Sequence, residues 1–144
     1  MPLNSRFFIK KAALIILSNR VINIISLLFS QKNPLNGWTL GPIIIIRSHE
    51  YCTPSMVNHE LIHVRQFWET FGLFLVWYPI EYCWHRLWGA SHVTSYARVS
   101  FEQEAYRNEN NKNYLQERAW FAWFPLMKSK NKKPLKLWGK IVEV

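Results

Sequence analysis

The stretch from Phe67 to Trp88 holds Phe67, Trp68, Phe71, Phe74, Trp77, Tyr78, Tyr82, Trp84, Leu87 and Trp88, which cover more than one face of a helix. A helix that is apolar nearly all round must be covered by protein or by lipid. A chain of 144 residues, 49% of them hydrophobic, can build one domain with a real core but not two comfortable ones. Two outcomes follow. Either this segment is the central helix of the core, or part of it meets a membrane surface through peripheral or partial insertion. Eight Trp residues and an aromatic share of 16% suit both. No run of about 18 uncharged apolar residues exists, so no clean transmembrane span is expected.

Charge narrows the chemistry. Every acidic residue is Glu, which removes Asp-based metal cages, Asp nucleophiles and Asp-containing triads. The formal charge is +9, and much of the surplus sits at Lys128, Lys130, Lys132, Lys133, Lys136 and Lys140, with Lys10 and Lys11 at the other end. A terminal basic segment of that kind reads as solvated or membrane-surface rather than as a specific nucleic-acid reader. Cys52 and Cys83 have no CxxC spacing and read as buried or free thiols in a reducing compartment. The apolar run Ala12 to Leu17 is short for a secretion signal and no small-residue cleavage site follows it, so no signal peptide is expected. The expected location is cytoplasmic, or peripheral on the cytoplasmic face of the membrane.

Leu14, Leu17, Val21, Ile24, Ile25 and Leu28 recur at spacings of three and four, which predicts a helix over 5–29, whole or broken near Ser18-Asn19. Gln31 to Gly37 reads as a turn. The block Trp38 to Arg47 predicts one strand, buried on both faces or at the edge of a small sheet. Pro54-Ser55 begins a helix, with Thr53 or Ser55 as N-cap, that runs to about Phe71 before Gly72. A second long helix follows to Trp88, kinked or restarted at Pro79. Gly89 to Thr94 reads as a connection, and Ser100 caps a helix from Phe101 to about Phe124 that Pro125 ends. Together these give an α+β, mainly α-helical domain over 1–127, with its motif core at 38–124 and a basic, irregular C-terminal tail at 128–144.

Within the third segment lies His59-Glu60-Leu61-Ile62-His63, the pattern HExxH. Positions i and i+4 share a helical face, so both imidazoles can reach one ion. Glu60, one residue along, projects beside that ion and can take a proton from water whose acidity the metal has raised. Leu61 and Ile62 point away into the core. The bland reading is two unrelated surface histidines on an amphipathic helix.

A catalytic zinc site takes three protein ligands and keeps a fourth position open. Glu102 and Glu104 are the best candidates for the third. Two carboxylates two residues apart do not share a face, so one of them serves. Both also suit the first turn of a helix for reasons of dipole alone. His85 and His92 are substitutes, the first on an aromatic face that reads as core or interface and the second in a loop. Tyr106 or Tyr114 could stabilise an oxyanion, though helix packing is the commoner role. Arg65 and Gln66 read either as electrostatic support for a neighbouring helix or as a solvated pair. Cys52, seven residues before His59, lies too close to serve as a ligand of the deformylase kind.

The helix His59 to His63 with Glu102-Gln103-Glu104-Ala105 downstream resembles the gluzincin metallopeptidases, including a small zincin-like bacterial family. It is most similar to the CAAX-prenyl-protease type. The resemblance covers about residues 38 to 110. It implies His59 and His63 as histidine ligands of Zn2+, Glu60 as general base, Glu102 as glutamate ligand and Ala105 as the small residue that lets two helices close. Tyr106 stands where that family has Asp, which removes its support for a ligand histidine. A thermolysin-like alignment selects Glu104 instead. A minimal zincin-like domain would place a sheet edge beside the active helix, and Ile43 to Arg47, with Ile44 and Ile46 as substrate-binding residues, would pair with an extended peptide. The implied function is hydrolysis of peptide bonds in a peptide or protein substrate. The alternatives are a non-catalytic domain that keeps the zinc fold for structure or protein binding, and a membrane-surface interaction protein in which the motif is accidental.

Overall fold

The computed structural model describes residues 7–10, 13–28, 35–128, 133–137 and 140–144, with backbone alone at 7–10 and 28. The fold is α+β and mainly helical. It divides into two compact units, 1–64 and 65–144, with the boundary inside one helix.

The first unit is built on a four-stranded sheet. Strand β1 (Phe7–Lys10) runs antiparallel to β2 (Ala13–Leu17), and helix α1 (Asn19–Leu28) follows. A hairpin of β3 (Gly37–Leu40) and β4 (Ile43–Ile46) completes it, in the order β1-β2-β4-β3. The helix expected over 5–29 therefore begins at Asn19, and the expected break at Ser18 is where a strand ends. Its residues 5, 6, 11, 12 and 29 lie outside the described residues. Ala13, Ile15 and Leu17 are buried and alternate with half-buried neighbours, a period of two. A short apolar run fits either period, and the parallel partner Ile43–Ile46 decides for the strand. Parallel strands need a crossover, which α1 supplies. Its Ile22 and Ile25 pack on Ile45. Arg47 donates to the Asn19 and Asn23 side chains on α1 and to the Leu35 carbonyl.

The single strand expected from Trp38 to Arg47 is instead a hairpin, closed by Gly41 at φ 59 and Pro42, with Leu40 paired to Ile43. A two-residue loop with glycine at positive φ is a hairpin signal that the β-branched block masks. The consequence is functional. Strand β4 has neighbours on both sides and its Ile44 and Ile46 are 0% exposed, so neither offers an edge to a peptide. Among the described residues the sheet's edges are β1 and β3.

Helix α2 (Pro54–Glu69) begins as expected: the Thr53 hydroxyl oxygen accepts from the Met56 N–H at 3.2 Å, and Pro54 takes the first helical position, where its missing N–H costs nothing. Phe71 at φ 50 and Gly72 at φ 84 follow its end.

The second unit holds α3 (Phe74–Leu87), which runs through Pro79 without restarting, then α4 (His92–Arg98) and α5 (Ser100–Asn108). The connection expected at Gly89 to Thr94 is shorter, because Ser91 caps α4 and places His92 on a helix rather than in a loop. The long helix expected to Phe124 stops at Asn108. Short helices α6 (Tyr114–Glu117) and α7 (Phe124–Lys128) follow, and Pro125 sits in the first turn of α7 rather than ending a helix. The tail expected to be irregular carries an antiparallel pair, β5 (Leu135–Leu137) and β6 (Lys140–Val142). Leu135, Leu137 and Val142 bury against Ala97 of α4, with Lys136 exposed between the first two. A separate cluster of Phe74, Val99, Phe101 and Trp123 joins α3, α5 and the segment before α7.

Candidate metal centre

On α2, Val57, Leu61, Ile62 and Val64 are buried apolar residues, and Leu61 and Ile62 enter the core as expected. His59, Glu60 and His63 are buried as well, at 5%, 4% and 5% exposure. Burying three polar side chains in succession along a helix is costly unless each has a partner. The two imidazoles meet edge to face, ring centroids 4.9 Å apart, with the Nε2 atoms separated by 3.2 Å. Two nitrogens bound tetrahedrally to zinc at about 2.0–2.1 Å stand about 3.3 Å apart, so the donor pair fits that ion. The same spacing suits an N–H···N bond between neutral imidazoles, and metal content separates the two.

Glu60 lies against the sheet edge. The Thr39 hydroxyl of β3 donates to Glu60 Oε2 at 2.6 Å, with the Glu60 carbonyl 3.4 Å from the same oxygen. Gly37, at the start of β3, leaves room for the other carboxylate oxygen: a Cβ there would stand 2.5 Å from Glu60 Oε1. Its backbone is not left-handed, so an added Cβ would act through that contact with the carboxylate and not through conformation. Gly37→Ala is expected to displace the carboxylate and lower any Glu60-dependent rate by about 10- to 100-fold, with metal content and melting temperature near wild type. Parallel rate and metal assays check this, and an unchanged rate contradicts it.

In the second unit, α5 buries Phe101, Glu102, Gln103, Glu104 and Ala105 together. Its first turn is held by Glu81 of α3, whose carboxylate accepts from the Ser100 N–H at 3.1 Å and the Ser100 hydroxyl at 2.8 Å. The two candidate third ligands have different surroundings. Glu104 is tied on both oxygens: Oε1 accepts from Arg118 Nε at 2.7 Å and the Tyr114 hydroxyl at 3.1 Å, and Oε2 from Arg118 Nη2 and Gln66 Nε2 at 3.1 Å each. Arg118 also pairs with Glu69. Glu102 Oε1 accepts from the Tyr78 hydroxyl at 2.7 Å. Burial first, then the charge of Glu102, pushes the Tyr96 phenol far above its ordinary range.

The remaining candidates have structural posts. The His92 imidazole lies 2.6 Å from the Tyr82 hydroxyl, and burial, helped by Arg86, lowers its pKa. His85 is half-buried on α3. Tyr114 is held by Glu104 and is pushed up to about 12, by burial before the carboxylate's charge. Tyr106 packs edge-on against Tyr96. Arg65 and Gln66 are not a solvated pair. Gln66 is 0% exposed and donates to the Phe101 carbonyl at 3.1 Å and to Glu104, while Arg65 is exposed and lies over the Trp120 ring.

Sequence reasoning missed Gly37, Thr39, Tyr78, Glu69 and Arg118. One signal was available: His59, His63, Gln66 and Glu69 follow one another at spacings of four, three and three, a polar stripe along one helical face. No protein-family model matches this chain, and neither does any curated protein or solved structure.

Proposed function

We propose that the chain is a zinc-dependent hydrolase of peptide bonds, with His59, His63 and Glu102 as ligands and Glu60 as the catalytic base. The observation that carries the reading is the buried histidine pair with its nitrogens 3.2 Å apart, flanked by a carboxylate held on a sheet edge. His59 and His63 are buried on α2 and Glu102 is buried on α5, each with one atom of a type that zinc takes as a ligand. Glu102 is preferred to Glu104 because a carboxylate engaged by a guanidinium on both oxygens has no lone pair well placed for a cation. Three ligands of this kind suit a catalytic site with an open fourth position.

Zinc bound there supplies Lewis acidity, polarising a peptide carbonyl and making water more acidic. The chain supplies the rest. Thr39 pins Glu60 Oε2, so Oε1 is the oxygen that accepts the proton from attacking water and returns it to the leaving amine. An extended peptide pairs with the open edge of β3, whose Gly37 and Thr39 lie against that carboxylate.

The test is an unbiased peptide library incubated with zinc-loaded protein and read by mass spectrometry. Cleavage that a chelator abolishes and zinc restores is expected. Zinc-loaded, folded protein that cleaves nothing would remove the hydrolase and leave a non-catalytic metal domain.

A further inference from the structure

Helix α3 buries a narrow stripe. Phe74 and Glu81 are buried, and Tyr78 and Tyr82 are half-buried against the cluster around Phe101. Most of the remaining surface of the helix is apolar and exposed, apart from His85 and Arg86: Val76 is 58% exposed, Ile80 53%, Trp84 58% and Leu87 83%. Phe71 just before the helix is 94% exposed and Trp88 just after it 73%. A soluble monomer rarely leaves a contiguous apolar face of this size in water.

We propose that this outer face of α3 docks in the interfacial layer of an anionic lipid bilayer. Length, composition and charge argue for lipid. Fourteen helical residues extend about 21 Å, short of the roughly 30 Å hydrocarbon core, so the helix lies in the plane of the interface. Between 70 and 88 the only charged residues are Glu81, which is turned inward onto Ser100, and Arg86. Trp77, Trp84 and Trp88 are the residues that favour the boundary between headgroup and acyl chain. The chain carries a formal charge of +9, and four acids of this unit, Glu69, Glu81, Glu102 and Glu104, are buried, which leaves the solvent side of the unit basic. An anionic surface complements that charge and an apolar layer complements the face. The proposal is independent of the metal centre, since none of these α3 residues is a ligand.

The experiment is co-sedimentation of the full chain with vesicles of phosphatidylglycerol and phosphatidylcholine, compared with phosphatidylcholine alone. Binding to the anionic vesicles is expected, weaker by about tenfold or more with the neutral ones or in high salt, and weaker by a similar factor for Trp77→Glu/Ile80→Glu with unchanged circular dichroism. In a second measurement, brominated lipid is expected to quench the tryptophan fluorescence of the wild type, which decides the matter should the double variant fail to fold. Three results overturn the proposal. They are no binding to anionic vesicles, binding that the folded double variant retains in full, and a concentration-dependent dimer, broken by Trp77→Glu/Ile80→Glu, in protein that ignores vesicles.

Discussion

Glu60→Gln is expected to lower peptide hydrolysis by about 10²- to 10⁴-fold while zinc content and fold stay at wild-type levels. Glutamine keeps the shape of the side chain, so the Thr39 hydroxyl still has an oxygen to donate to and the contact at Gly37 persists. What it lacks is a basic oxygen to accept the proton from water. In the proposed reaction the carboxylate acts on the reacting atoms and not on the peptide backbone, so the loss is expected in kcat with KM little changed. Rates of both proteins at matched metal content test this. A variant as fast as the wild type would remove Glu60 from the chemistry.

Arg118→Leu is expected to cost about 3–5 kcal/mol of folding stability. The Arg118 side chain and those of Glu69 and Glu104 are each 1% exposed. Burial disfavours the guanidinium's charge, but hydrogen bonds and charges from Glu104 and Glu69 outweigh it and push its pKa up. Removing the cation leaves two buried carboxylates facing each other's charge in a medium of low polarity. The trio itself is weak evidence of stability, since charges removed together are cheaper to lose than a partner removed alone. The triple variant Glu69→Gln/Glu104→Gln/Arg118→Leu should accordingly recover much of the loss. Denaturant midpoints of the single and triple variants check this, and a single variant within about 1 kcal/mol of wild type contradicts it.

The part of the fold that reads best in the sequence is the helix that carries the motif. Thr53 and Pro54 start it, Gly72 follows its end, and Leu61 and Ile62 are buried as expected. The N-terminal strand is illegible for a physical reason. Five apolar residues at Ala13–Leu17 satisfy a helical and a strand period alike, and what decides is a parallel partner some thirty residues on. The hairpin at Gly41-Pro42 was legible but overridden by the run Ile43–Ile46, and with it went the identity of the edge strand. Glu102 and Glu104 were both visible as candidates. Their difference was not, because it depends on Arg118, which lies 14 positions from Glu104 and 49 from Glu69 and follows no local pattern.

The metal content of purified protein decides the central claim. Elemental analysis of the wild type beside His63→Ala and Glu102→Ala is predicted to find about one zinc per chain in the first and almost none in the variants. Wild-type protein that arrives without metal and takes up none on titration would contradict it. The 3.2 Å between the two imidazoles would then be an ordinary hydrogen bond.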